Sequence, residues 1–140
     1  MHTLPKNVTV YLAGPINGRS DADCMDWRRE AFRRLECGTF DPMVRDYRGR
    51  ELEPGIAAEI VELDKKDIDN CDLLLVYFDK PSVGTSMEVF YAWERRKEVV
   101  VVNASGKALS PWMIYHSTYQ VDSLDQAIDL INSALRLRNR

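Results

Sequence analysis

The sequence predicts an α/β fold: a single domain with a five-stranded parallel sheet flanked by helices, of the flavodoxin-like or Rossmann-like kind. Short apolar runs alternate with amphipathic stretches along the whole chain, which is typical of β-α-β units. Two of those runs, at residues 73–78 and 99–102, are almost uniformly apolar, as in strands buried on both faces. The chain has 140 residues, 45% of them hydrophobic, which suits one domain spanning residues 1–140.

The first half of the sequence predicts two strands and two helices. In order, they are a strand at residues 8–13, a helix at about 22–36, a strand at 39–44 and a helix at about 56–70. Ser20 or Asp21 caps the first helix, and Gly38 ends it. Pro42 interrupts or ends the second strand, because it cannot donate to a ladder.

The first helix is expected to have an apolar side and a basic side. Met25, Phe32 and Leu35 mark the apolar side. Clustered charges on a helix usually form a solvated face. We interpret four arginines in that way: Arg28, Arg29, Arg33 and Arg34.

The second helix carries an acid on its inward side. Ile56, Ile60 and Leu63 form the apolar stripe, and the same spacing then reaches Asp67. An acid on a buried stripe costs several kcal/mol unless it is paired or functional. Asp67 therefore has either a structural partner or a role in a site.

The segment at residues 45–55 is polar and rich in turn residues. A long loop in a small domain is often a lid or a substrate-binding segment. Tyr47 and the neighbouring arginines could stack on and pair with a ligand there. The alternative is that the loop is disordered.

The second half of the sequence predicts three strands and three helical segments. In order, they are a strand at 73–78, a helix at 86–97, a strand at 98–102, a short helical turn at 109–114, a strand at 118–121 and a last helix that opens at 123. The helix at 86–97 should bury Met87, Val89 or Phe90, and Trp93. Ser123 and Gln126 form a capping box for the last helix, whose apolar stripe is Leu124, Ile128, Ile131 and Leu135.

The expected strand order is 2-1-3-4-5, which places a topological switch point between strands one and three. Two loops should meet there, the Gly14-Pro15 turn at residues 14–19 and the loop at 82–88. Ligands of open α/β sheets bind in this crevice. The turn is not G-x-G-x-x-G, so no dinucleotide fingerprint is present.

Glu88 is the carboxylate of the second loop, and it has two interpretations. Thr85 to Glu88 fits a capping box, with Thr85 as the N-cap. The alternative is a catalytic acid in the crevice. A helix N-terminus favours the ionised form, which would suit a nucleophile and not a proton donor.

Composition and charge limit the partners. The formal net charge is −3, so a nucleic-acid partner, which needs a basic face, is not expected. No segment approaches the ~20 apolar residues of a membrane span, and the start lacks a signal peptide, so we expect a cytoplasmic protein with no membrane partner. Cys24, Cys37 and Cys71 predict reduced thiols. His2 and His116 stand alone, so no metal or organic cofactor is expected.

Three motifs follow one another along the chain: Tyr11-Leu12-Ala13-Gly14-Pro15, the segment from Asp67 to Cys71-Asp72, and Gly84-Thr85-Ser86-Met87-Glu88 with Tyr91-Ala92. Together they resemble the nucleoside 2-deoxyribosyltransferase family, whose close relatives include the 2'-deoxynucleoside 5'-phosphate N-hydrolases. The resemblance covers nearly the whole chain. It implies cleavage of an N-glycosidic bond at C1' of a nucleoside or nucleotide.

The resemblance also implies roles for three residues. Glu88 matches the nucleophile that forms a glycosyl-enzyme ester, as in retaining glycosidases. Asp67 matches a second acid that handles the proton of the departing base. Tyr11 matches the tyrosine that positions the nucleophile. A helix cap and a nucleophile could then be the same residue.

Further residues are expected to bind substrate, by position in the family's pattern. They are Gly14, Pro15, Ile16, Asn17, Arg19, Pro42, Arg45, Ser82, Gly84, Ser86, Met87, Met113 and, from the neighbouring subunit, Ser110. Serine at position 82, where transferases of free nucleosides usually have an acid, can donate to a phosphate. This favours a 5'-monophosphate substrate.

The chain departs from the hydrolases at Pro15 and Asn17, where they have serine and arginine. Arg19 or Arg45 would have to complete the phosphate clamp. The resemblance implies a homodimer or larger assembly with shared sites, binding a small nucleotide or nucleoside. Base exchange between free deoxynucleosides is the alternative activity. A nucleotide-binding module without turnover is the alternative of another class.

Overall fold

The computed structural model describes residues 4–5 and 7–138, so the expectations drawn on His2 and on the start of the chain lie outside the described residues. Five parallel strands form one sheet in the order 2-1-3-4-5, as the sequence predicts. The elements are β1 Thr9–Ala13, α1 Asp21–Arg34, β2 Gly38–Phe40, a 3-10 turn Pro42–Val44, α2 Ile56–Asp69, β3 Leu73–Phe78, α3 Val83–Glu94, β4 Glu98–Asn103, α4 Pro111–Tyr115, β5 Tyr119–Val121 and α5 Leu124–Arg138.

The central strand β3 pairs with β1 on one side and with β4 on the other. β1 pairs with β3 from Val10 opposite Leu73 to Ala13 opposite Val76. β4 lies on the other side of β3. β2 and β5, at the edges, have three residues each. β2 is shorter than expected, because Pro42 starts a 3-10 turn, capped by Asp41, instead of continuing the strand.

The two faces of the sheet have separate cores. On one face, Leu12 of β1 packs with residues of α1 and α5 such as Trp27 and Ile131. On the other face, Tyr11 of β1 packs with residues of α2, α3 and α4, including Ile68. Successive side chains of a strand point to opposite faces. β1 therefore presents Tyr11 to one layer of helices and Leu12 to the other.

The prediction for the faces of α1 is wrong at two residues. Phe32 is 71% exposed, whereas Arg28 is 1% exposed and belongs to the buried side. The buried residues of the helix are Cys24, Trp27, Arg28 and Ala31. These four residues share one face of the helix, and Phe32 lies outside that face.

The prediction for α3 is wrong in its start and at Met87, and it is confirmed at Val89. The helix begins at Val83, and the Ser82 hydroxyl caps it by accepting from the backbone N–H of Thr85 (3.4 Å), so the Thr85–Glu88 capping box does not form. Met87 and Phe90 are exposed. The buried residues are Thr85, Val89 and Ala92. Glu88 consequently lies in the second turn of the helix.

The capping box of α5 is confirmed. The Ser123 hydroxyl accepts from the N–H of Gln126, and the Gln126 side chain accepts from the N–H of Ser123, both at 3.2 Å. Ile128, Ile131 and Leu135 are buried as expected. Within the described part of the chain, no helix has the length and apolar character that a bilayer crossing requires.

Candidate active site

Tyr11 and Glu88 meet at the switch point between β1 and β3. The Tyr11 hydroxyl donates to Oε2 of Glu88 at 2.5 Å. Tyr11 is fully buried, and its ring stacks on Phe40 of β2 at a centroid distance of 5.9 Å. Burial raises the pKa of the Tyr11 hydroxyl, so this group acts as a hydrogen-bond donor and stays protonated.

Burial also raises the pKa of Glu88, to about 8. The hydrogen bond from Tyr11 and the charge of Arg28 lower this pKa, whereas the charge of Asp64 raises it. The expectation that the helix dipole keeps Glu88 ionised is therefore wrong for the unliganded protein. The dipole acts within the first turn, and Glu88 lies beyond it, where desolvation is the larger effect.

A second acidic group lies beside this pair, on α2. Arg45 forms an ion pair with Asp67 and reaches Asp64 at 3.4 Å. Its guanidinium also lies over the ring of Phe40, 5.7 Å from the centroid. Burial raises the pKa of Asp64, although Arg45 opposes the shift. Asp67 thus has a structural partner, and Asp64 is the carboxyl of α2 whose charge acts on Tyr11 and Glu88.

Both arginines proposed for a phosphate clamp are bound to carboxylates. Arg19 donates through both terminal nitrogens to Asp79, at 3.1 Å for Nη1, and its Nε lies 3.4 Å from Asp23. The Arg19–Asp79 pair joins the loop after β1 to the loop after β3. Arg45 is held by Asp64 and Asp67 as described. Neither arginine is a free cation in this structure.

The turn after β1 is tightly packed. A Cβ on Gly14 would lie 2.9 Å from the indole of Trp27, so a larger residue would force the turn away from α1. Pro15 is buried, Ile16 is half-buried and Asn17 is exposed. The structure therefore places Asn17 in solvent, on the side of the turn away from the core.

Four of the remaining predicted residues line a cavity of about 560 Å³ between α3 and α4, whereas Pro42, Ser82 and Gly84 do not. Ser86 and Met87 line it from α3, and Ser110 and Met113 line it from the start of α4. The Ser110 hydroxyl caps α4 by accepting from the N–H of Trp112 at 3.1 Å. Neither Tyr11 nor Glu88 lines this cavity. Within one chain, the residues that line the cavity are thus separate from the Tyr11–Glu88 pair.

The sequence pattern described as nucleoside 2-deoxyribosyltransferase matches residues 10–131. The chain belongs to this family. Its chemistry, at the N-glycosidic bond of a nucleoside, fits a site in which a tyrosine and carboxyl groups converge at a switch point. No curated protein matches the chain.

Solved structures share this fold. A 2-deoxyribosyltransferase from Bacillus psychrosaccharolyticus has a TM-score of 0.72 at 16% identity, over 91% of this chain and 96% of its own. A conserved protein from Enterococcus faecalis has a TM-score of 0.73 at 15% identity, over 94% and 99%. A CMP N-glycosidase from Clostridium botulinum has a TM-score of 0.58 at 15% identity, over 89% and 98%.

The apolar stripe of α2 predicts an inward position for Asp67 and places Asp64 off the stripe, with no role, whereas in this nucleoside 2-deoxyribosyltransferase family member the charge of Asp64 acts on Glu88. The signal was present, since Asp64 lies four residues after Ile60 and three before Asp67. Residues at those spacings share one face of a helix. The sequence also predicts a solvated Arg28, whereas this residue is buried and its charge lowers the pKa of Glu88.

Proposed function

We propose that the protein cleaves the N-glycosidic bond of 2'-deoxynucleoside 5'-monophosphates through a covalent glycosyl-enzyme on Glu88, and that water takes the sugar from the ester. The observation that carries this proposal is the hydrogen bond between Tyr11 and Glu88 at the switch point. It holds one carboxylate oxygen and leaves Oε1 for attack. A carboxylate nucleophile and an acid are the two groups that a retaining glycosidase uses.

The reaction has two steps. In the first, Oε1 of Glu88 bonds to C1' as the bond from C1' to the base nitrogen breaks, and an acid gives a proton to the departing base. In the second, water attacks C1', the ester bond to Glu88 breaks, and the proton of the water returns to the acid. The products are the free base and a 2-deoxyribose 5-phosphate.

Asp64 fits the role of the acid better than Asp67. Burial raises the pKa of Asp64, and a raised pKa favours the protonated form that a proton donor needs. Asp67, the acid that the resemblance implies, is bound to Arg45, and we propose that it holds this arginine in place.

The charge of Asp64 raises the pKa of Glu88, so the proposed reaction needs one proton shared between these two carboxyl groups. The reactive state has one proton in the pair, with Glu88 ionised and Asp64 protonated. Its alternative, with the proton on Glu88, has the same net charge. Groups that stabilise the Glu88 carboxylate therefore increase the fraction of molecules with Glu88 ionised and Asp64 protonated. The two carboxyl groups together still hold one proton.

The N-terminus of α3 supports binding of a phosphate. Ser82 caps this helix of 12 residues, and helix N-termini favour anions. A serine there adds a hydroxyl and no negative charge. Arg19 is already bound to Asp79, which is the observation that favours the alternative, base exchange between unphosphorylated deoxynucleosides.

We also propose a homodimer in which Ser110 of a second copy reaches the site. The cavity between α3 and α4 is bordered by exposed apolar side chains, among them Met87 at 65%, Phe90 at 46% and Trp112 at 73% exposure. Exposed apolar patches of this kind mark protein–protein contact surfaces. Sedimentation of the purified chain tests the proposal, and a monomer at all concentrations would contradict it.

The activity is tested by incubation with a 2'-deoxynucleoside monophosphate or the matching deoxynucleoside, with and without a second base, and chromatography of the products. Free base from the monophosphate without any acceptor supports the proposal. Exchange confined to unphosphorylated substrate supports the transferase. Glu88→Gln is the control, and equal base release by that variant would contradict the role of Glu88.

A binding module without turnover gives a different result. Such a protein would bind the monophosphate in calorimetry, release no base at any pH, and bind equally after Glu88→Ala. Base release that depends on Glu88 excludes this alternative.

A further inference from the structure

Two arginine side chains hold the segment at residues 45–55 across one edge of the sheet. The segment contains no helix or strand and connects the 3-10 turn after β2 to α2. Near its start, Arg45 binds Asp64 and Asp67 of α2. Arg48 binds α1 and the turn that precedes this helix. Because α1 and α2 pack on opposite faces of the sheet, the segment crosses the edge at which β1 and β2 end.

Arg48 makes the contacts that join the segment to α1. Its Nη1 donates to the backbone carbonyl of Arg19 at 3.1 Å, and its Nη2 lies 2.7 Å from Oδ1 of Asp21. Asp46, within the segment, accepts from Nε at 3.0 Å and from Nη2 at 2.7 Å. Asp46 thus orients the guanidinium, and Asp21 and the carbonyl of Arg19 bind it.

The segment also borders the candidate active site. The Arg45 guanidinium lies over the ring of Phe40, and this ring stacks on Tyr11. Arg48, at the other attachment, binds the turn after β1, which is one of the two loops at the switch point. A movement of the segment therefore changes one side of the crevice.

The two attachments of the segment differ in strength. At the α2 end, the side chains of Asp64 and Asp67 are 24% and 18% exposed, whereas that of Asp21 at the α1 end is 81% exposed. Solvent weakens an ion pair whose partner is exposed, so the Arg48 end is the one that releases first. None of residues 45–55 is fully buried, and segments with few buried contacts open locally while the core stays folded.

We propose that residues 45–55 form a lid on the crevice and that Arg48 is its latch: the lid opens by releasing α1 while Arg45 stays bound to α2. Opening admits the substrate, and closing restores the contacts of Arg48. This inference rests on the proposed function only for what enters the crevice, because opening of the lid can be measured without substrate.

Two buried cysteines distinguish opening of the lid from unfolding of the protein. Cys24 is fully buried near the start of α1, and its Sγ atom lies 4.0 Å from Nη1 of Arg48. Cys71 is buried in the core on the other face of the sheet. Opening of the lid should expose Cys24 alone, whereas global unfolding exposes both thiols.

The test is the rate at which iodoacetamide alkylates each cysteine, measured by mass spectrometry of the peptides. In Arg48→Gln, alkylation of Cys24 should accelerate by roughly tenfold, because the lid loses hydrogen bonds from a charged donor. Burial raises the pKa of the Cys24 thiol, and the charge of Arg48 lowers it. Since the thiolate is the reactive form, loss of this charge alone would slow the reaction. Faster alkylation therefore measures exposure of the thiol.

Asp21→Asn is the second variant, because Arg48→Gln also removes atoms that cover Cys24. Asparagine keeps the size of the side chain and loses its charge, so alkylation of Cys24 should rise by a smaller factor, about threefold. Combined with Arg48→Gln it should add nothing, since the effects of two groups that act through one contact are not additive. Fraying of the helix end would instead add equally in both backgrounds. Arg50→Gln, whose ion pair with Glu53 lies within the segment, is the matched control and should leave the rate unchanged.

An alkylation rate of Cys24 that stays unchanged in Arg48→Gln, that rises together with the rate of Cys71, or that responds additively in the double variant would overturn the inference.

The same variants are then assayed for base release from the monophosphate. Arg48→Gln should raise KM more than it lowers kcat, because substrate leaves an open site more easily, and Arg48→Lys, which retains the charge, should recover part of the loss. An unchanged KM in Arg48→Gln would contradict a role in substrate entry. If alkylation responds as expected but the wild-type protein releases no base, the proposed function fails and the lid stands.

Discussion

The hydroxyl of Tyr11 and the carboxylate of Glu88 are 77 positions apart in sequence and form a hydrogen bond of 2.5 Å. The bond joins the central strand β1 to α3 at the place where the order of the strands reverses. Tyr11 is fixed by its buried ring and its stacking on Phe40. The rigid sheet therefore sets the orientation of the Glu88 carboxylate.

Tyr11→Phe should reduce kcat/KM for base release by roughly ten- to a hundredfold, since a hydrogen bond to a charged group contributes about 1.5–3 kcal/mol. The ring and its stacking remain, so thermal unfolding at acidic pH should change little. The matched control is Tyr91→Phe, whose hydroxyl binds Asp69 at 2.9 Å on the surface. Equal losses in the two variants would contradict a specific role for Tyr11.

Glu88→Gln should change how stability depends on pH. The unfolded chain ionises Glu88 near its ordinary pKa of 4.5, whereas the folded protein retains the proton up to about pH 8. Between these values the folded state binds more protons, so rising pH lowers the free energy of unfolding of the wild type. Glutamine removes this loss, and the gain in Tm of the variant should therefore grow with pH up to about 8.

Calorimetry of both proteins across this range measures the effect. Near the ordinary pKa of Glu88 the two proteins should have similar Tm values, which makes the acidic end of the series the internal control. A difference in Tm that stays constant with pH would show that Glu88 is not the group held protonated by the fold.

Asp64→Asn and Asp67→Asn should separate the two acids of α2. Loss of a general acid costs about 10²–10⁴-fold in rate, and we expect this for Asp64→Asn with an ordinary base as leaving group. A substrate whose base departs without protonation should restore most of that rate. Asp67→Asn leaves Arg45 with Asp64 as its remaining carboxylate and should cost less, with no rescue by the better leaving group. The reverse pattern would assign the acid to Asp67.

The sheet and its order could be predicted from sequence, because the runs at residues 73–78 and 99–102 are almost uniformly apolar. Such runs are typical of parallel strands that are buried on both faces. The capping box at Ser123 is equally local, since four consecutive residues form it. The position of the crevice follows from the strand order.

The faces of α1 and α3 could not be predicted in the same way. Hydrophobicity places Phe32 inside and Arg28 outside, but the carbonyls of Leu12 and Gly14 offer Arg28 partners that only the folded chain brings together. On α3, Ser82 caps the helix instead of Thr85, and the buried face follows Thr85, Val89 and Ala92, which leaves Met87 exposed. The correction on α1 depends on contacts between distant segments, which hydrophobic spacing does not contain, whereas the cap of α3 is local.

Ser82→Asp should lower the preference for phosphorylated substrates. Aspartate is as good an N-cap as serine, so α3 should keep its stability while its N-terminus gains a negative charge that repels a phosphate. We expect KM for the monophosphate to rise by roughly tenfold or more, about 1.4 kcal/mol, with little change for the free deoxynucleoside. Ser82→Asn, a neutral cap of the same size, should behave like wild type. A preference that Ser82→Asp leaves unchanged would place the phosphate elsewhere, or favour the nucleoside as substrate.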